Sequence, residues 1–133
     1  MFIPPRKKDL IYPELSYTIV GCAFEVWNIL GPGHSEKTYQ EAMEVMFKEK
    51  NIRYKSQLYA PVIFRNKLLS KSYLDFMVEE KIVVELKKNE HFAIGHIKQI
   101  HDYLVRSQLQ LGILINFTFA EVKIKRVINQ LDS

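Results

Sequence analysis

Residues 73–88 read YLDFMVEEKIVVELKK. Two runs rich in β-branched and aromatic residues flank Glu79-Glu80-Lys81, and that pattern predicts two strands joined by a three-residue turn. With that turn Val78 faces Ile82, Met77 faces Val83, Asp75 faces Glu85 and Tyr73 faces Lys87. Side chains alternate along a strand, so Asp75, Glu85 and Lys87 share one face. Directly opposed residues have Cβ atoms about 4.5–5.5 Å apart. Two carboxylates at that separation repel, and partial burial strengthens the repulsion. The flanking runs are strongly apolar, so a face carrying these charges needs a reason. A solvated salt-bridge patch is one reason. A divalent cation is the other. Magnesium and manganese are hard ions that take carboxylate, carbonyl and water oxygens. Asp75, Glu85 and the backbone carbonyl of Leu86 supply half of an octahedral shell. That leaves positions for water and a phosphate oxygen. Lys87 then orients or deprotonates the attacking water, or holds the phosphate as a fixed charge.

Outward from the hairpin, residues 54–64 read as an extended segment and "RNK" as a turn. Residues 68–78 and 82–88 are the next two strands. Upstream, helical spacing of Val20, Ala23, Phe24, Trp27 and Leu30 predicts a helix from about Glu14 to Leu30, stopped by "GPG" at 31–33. A second helix runs from near Ser35, a good N-cap type, to about Lys50. Its apolar stripe is Tyr39, Met43, Met46 and Phe47. Glu36 falls in its first turn, on the same stripe as Tyr39 and Met43. It is read either as an acid complementing the helix dipole or as a third acid turned toward the hairpin. Downstream, a third helix spans about Phe92 to Ser107, with Gln99 and Tyr103 four apart beside Ile100 and Leu104. Gln99 could hydrogen-bond the lysine, a water or a phosphate. "LGILINF" (111–117) is a wholly apolar strand for the middle of a sheet. "EVKIKRVI" (121–128) is an alternating edge strand protected by lysines. The order is α-α-β-β-β-α-β-β, an α/β arrangement with a mixed sheet of four to five strands flanked by helices.

The 133 residues, 47% of them hydrophobic, suit one domain with one core, here residues 1–133 with an N-terminal arm over 1–13. A net charge of +4 permits a polyanion partner without requiring one. The lone Cys22 excludes a disulfide framework and suits a cytoplasmic location. No apolar run approaches the ~20 residues of a membrane span. "MFIPPRKKDL" lacks the apolar stretch of a signal peptide. The histidines at 34, 91, 96 and 101 lack zinc spacing and read as surface or helix-border residues.

Taken together, three ordered blocks resemble the GxxExxY family, a branch of the PD-(D/E)XK nuclease-like superfamily. They are Gly33-His34-Ser35-Glu36-Lys37-Thr38-Tyr39, "LDFMVEEKIVVELK", and "HIKQIHDYLVRSQLQLGILINF", followed by the similar "KIKRVI"; they cover about residues 14–128. The resemblance implies a restriction-endonuclease-like core and magnesium-dependent phosphodiester hydrolysis. It implies Asp75 as the main metal ligand, Glu85 as the second, Glu36 as a helix-borne acid near the metal, Lys87 as the active-site lysine and Gln99 as the helix residue facing the site. Tyr73 and Leu74 depart from the family's pattern before the first acid, and Trp27 stands where relatives carry histidine. The expected function is a nuclease using Mg²⁺ or Mn²⁺ on nucleic acid, DNA before RNA, with a possible homodimer and no membrane. The competing reading is a catalytically silent binding module that keeps the fold.

Overall fold

The computed structural model describes residues 11–131. The expected N-terminal arm lies, up to residue 10, outside the described residues. Helix α1 runs Pro13–Leu30, with proline in its first turn where a missing N–H costs nothing. Gly31 ends it at φ +72°, and its N–H reaches the Trp27 carbonyl at 2.8 Å. Helix α2 runs Glu36–Glu49, and the Ser35 hydroxyl caps it by accepting from the Thr38 N–H at 3.1 Å. Ile19, Cys22, Ala23 and Val26 of α1 and Tyr39, Met43 and Phe47 of α2 are buried against one face of a sheet.

That sheet has five strands in the order β1-β4-β5-β6-β7. They are β1 Tyr54–Tyr59, β4 Tyr73–Val78, β5 Ile82–Lys87, β6 Leu111–Phe117 and β7 Val122–Ile128. β5 and β6 are parallel and the other neighbours antiparallel, so the sheet is mixed as expected. Helix α3, Ile94–Ser107, makes the crossover between the parallel pair. It covers the other face, with Ile100 and Leu104 packed on Leu74, Val83, Leu114 and Val127. β6 is buried throughout and the lysine-bearing β7 lies at an edge, both as the sequence predicts.

The two long strands expected at 54–64 and 68–78 are each broken in two. β2 Val62–Phe64 and β3 Lys67–Ser70 leave the main sheet and pair only with each other. β1, an edge strand, ends just before Pro61, whose fixed φ and missing N–H suit the point where the chain leaves the sheet. The Ala60 N–H bonds the Ser72 carbonyl at 2.7 Å and closes the base of this arm. Its tip is tighter than "RNK": Arg65 and Asn66, at φ 49° and 64°, make a two-residue turn of the kind that suits strand twist.

Candidate active site

The β4–β5 register is the expected one from Val78↔Ile82 through Met77↔Val83 to Phe76↔Val84. There it stops. Asp75 and Glu85 do not continue as a ladder pair, nor do Tyr73 and Lys87. β4 goes on with β1 (Leu58↔Leu74, Tyr59↔Tyr73), while β5 goes on with β6 as far as Lys87↔Asn116. The strands therefore fork at Asp75. Opposite the fork, Gln57 of β1 takes φ 60° and has no register partner. The alternation of β4 breaks there too: Phe76 and Val78 pack on the α1/α2 side, but Leu74 packs on the α3 side.

The two acids fill the fork and take over the ladder's hydrogen bonds. The Asp75 N–H donates to Glu85 Oε1 at 2.9 Å, and the Leu86 N–H donates to Asp75 Oδ2 at 2.7 Å. Glu85 is 3% exposed. Lys87 Nζ stands 3.5 Å from Glu85 Oε2. Burial, and next the Asp75 carboxylate, push the Glu85 carboxyl up to about 9; Lys87 opposes them and does not cancel them. Burial is the larger cause, so the fork resists a second negative charge that Lys87 alone does not offset.

A hard divalent cation fits that donor set. Two carboxylates and the Leu86 carbonyl are oxygen donors of the required kind, and magnesium commonly keeps several waters with only one or two carboxylates. The rest of the shell does not come from further acids or histidines. Among the described residues no group of three or more His, Cys, Asp or Glu side chains is placed to hold a metal. Glu36 stands exposed at the start of α2 and is not a third member of the cluster. Its charge is nonetheless felt at the site's border. Burial holds the His96 ring below its ordinary value, Lys87 adds to that, and Glu36 works against it. Gln99 makes no hydrogen bond to the fork and lines a groove along α3.

Tyr39 explains how Glu36 is held. Its ring is fully buried and stacked on Phe117 at 4.3 Å. Its hydroxyl donates to the Gly31 carbonyl at 2.6 Å and accepts the His34 N–H at 3.4 Å. Gly33, at φ +92°, supplies the backbone bend between them. The G-x-x-E-x-x-Y spacing is thus a loop, a helix start and the anchor that ties them to β6.

Two residues at the site were not singled out by the sequence pattern. Asn116 is fully buried beside Lys87; its Nδ2 donates to the Asn89 and His91 carbonyls at 3.0 and 3.1 Å and fixes the chain leaving β5. Its Oδ1 is buried without a hydrogen-bond partner, as is His96 Nδ1. One polar residue in the apolar run LGILINF was the available signal for Asn116. For His96 there was none, because a histidine at a helix start is unremarkable until its Nδ1 is seen to be buried.

A family model described as the PD-(D/E)XK nuclease superfamily matches residues 13–127. Among solved structures, the crystal structure of SSO0001 superposes with a TM-score of 0.53 at 19% identity, over 90% of this chain. At that identity the likeness speaks for the fold, which is restriction-endonuclease-like. The chain spans 60% of that protein's length. No curated protein matches the sequence.

Proposed function

Because the chain belongs to the PD-(D/E)XK nuclease superfamily, we propose that it is a metal-dependent nuclease that hydrolyses phosphodiester bonds, of DNA before RNA, at the Asp75/Glu85 fork. The observation that carries this reading is the burial of two acids together in the fork, where Lys87 alone does not keep both ionised. Two touching acids, one almost fully buried, face a single lysine. Asp75, Glu85 and the Leu86 carbonyl hold Mg²⁺ or Mn²⁺. When bound, the ion supplies an activated water and offsets charge on the phosphate. Lys87, fixed against Glu85, positions the attacking water or the scissile phosphate. Glu36 acts on the shell through water from the start of α2, and Gln99 contacts the phosphate side from α3. The arrangement of Gly33, Glu36 and Tyr39 supports the GxxExxY branch of the superfamily. The chain acts as one nuclease-like domain, and a homodimer would present two forks to two strands.

One observation favours a silent fold instead: each carboxylate already accepts a backbone N–H, so the fork is satisfied in part without an ion. Calorimetry with manganese separates the two, on the wild type and on Asp75→Ala with Glu85→Ala. Binding to the wild type alone, with Mn²⁺-dependent cleavage of labelled DNA that falls by about 10²–10⁴ in Lys87→Ala, supports the nuclease. No binding by either protein, with or without DNA, leaves the silent module.

A further inference from the structure

The arm formed by β2 and β3 has an unusual surface. An isolated two-stranded hairpin is at best marginally stable in water. This one exposes Val62, Ile63, Phe64, Leu68 and Leu69, each by 44–61%. At its base the rings of Tyr59 and Tyr73 lie 5.5 Å apart and are half exposed. From Asn51 to Leu74 the chain has no Asp or Glu. Its basic residues Arg53 and Lys55 are paired with Glu79 and Glu80 at the turn. Among the described residues Arg65, Lys67 and Lys71, all on the arm, have no ion-pair partner, and Arg65 lies 5.5 Å from the Phe64 ring. Between the arm and α3 runs an open groove of about 650 Å³, lined by Pro61, Val62 and Ile63 on one side and by Lys98, Gln99 and Arg106 on the other. The acid in the groove, Asp102, is already 3.3 Å from Lys98.

We propose that the β2–β3 arm and the facing side of α3 hold unpaired nucleic acid, with phosphates on Arg65, Lys67 and Lys71 and base faces against Phe64 and its apolar neighbours. This rests on the reading of the chain as a nucleic-acid enzyme and adds which surface and which strand state it uses. Charge complementarity selects the occupant. A second copy meeting arm to arm would bring like charges together with no acid to offset them, whereas a polyanion matches them. Apolar and aromatic side chains interleaved with cations match a strand whose bases are unstacked, because every base then offers a face. The arm also leads straight into the fork: β4 begins at Tyr73, two residues before Asp75. A strand on the arm is therefore delivered beside the acids, along the groove that Gln99 lines.

The test is fluorescence anisotropy in EDTA, where no cleavage occurs, with a labelled single-stranded DNA 20-mer and the matching duplex. The wild type is expected to bind the single strand about tenfold more tightly than the duplex. Arg65→Gln with Lys67→Gln and Lys71→Gln should lower the slope of log K against log salt by about 2, since each phosphate contact on a single strand contributes about 0.7. Phe64→Ala should weaken single-strand binding about tenfold. These positions are exposed, and an unchanged melting temperature verifies that each variant folds. The proposal is overturned if the charge variant keeps wild-type affinity and slope, or if the duplex binds as well as the single strand. It is also overturned if sedimentation shows the arm variants changing the oligomeric state with DNA affinity unaltered. Binding without manganese-dependent cleavage would instead leave the arm standing and remove the nuclease reading, so the two failures are distinct.

Discussion

Glu85 shows what one residue in the fork demands. Its carboxyl keeps its proton in the folded chain to about pH 9, whereas in the unfolded chain it ionises near 4.5. Between those values the folded state binds the extra proton, so stability falls as pH rises, by at most about 1.4 kcal/mol per pH unit. Below the unfolded value the contribution is fully present, and above the folded value it is gone. Glu85→Gln keeps an oxygen for the Asp75 N–H and cannot ionise. In EDTA its melting temperature should match the wild type near pH 4.5 and exceed it at pH 8. Parallel melting curves for both proteins across this range check the point, and a wild type as stable as the variant at pH 8 would sink it. The sequence made the acids and Lys87 visible because charges interrupt apolar runs there. It did not show how they are held. That depends on β4 turning toward β1 while β5 follows β6, and on Gln57 in a left-handed conformation, neither of which a strand pattern encodes.

Elements reproduce the sequence reading where local rules dominate. The three helices follow from 3.6-residue periodicity, from GPG as a stop and from Ser35 as a cap. The arm does not follow as easily, because an apolar run containing one proline reads as a single strand until its second half is seen to leave the sheet. The α3–β6 contact was equally hidden. Gly112 lies in a strand with no turn to need it, yet a Cβ there would collide with Ile100 Cγ2 of α3. Ile100 is fully buried and β-branched, so it has little room to yield. Gly112→Val should therefore cost about 1–3 kcal/mol through overpacking. Urea unfolding should show a lower midpoint with an unchanged slope. An unaltered midpoint would mean that α3 shifts freely on the sheet, and the α3 flank of the site would lose its rigidity.

Across the whole molecule, the proposed ion site would link folding to ion binding through the same fork. The sheet brings Asp75 and Glu85 together only in the folded chain, so an ion held there stabilises the fold by mass action, by about 2.7 kcal/mol at a concentration a hundred times its dissociation constant. Such an ion would also compete with the proton on Glu85, because a carboxylate must be ionised to ligate. Two opposite pH trends follow. Without divalent ions the wild type loses stability as pH rises through neutrality. With manganese the stabilisation grows over the same range, since less proton has to be displaced at each step. The gap between melting temperatures with Mn²⁺ and with EDTA should therefore widen from pH 5.5 to pH 8. In Asp75→Ala with Glu85→Ala it should close at every pH. A gap that persists in the double variant would place the ion elsewhere on the chain. A gap that does not change with pH would mean that Glu85 is not a ligand, leaving Asp75 and the Leu86 carbonyl as the donors of the fork.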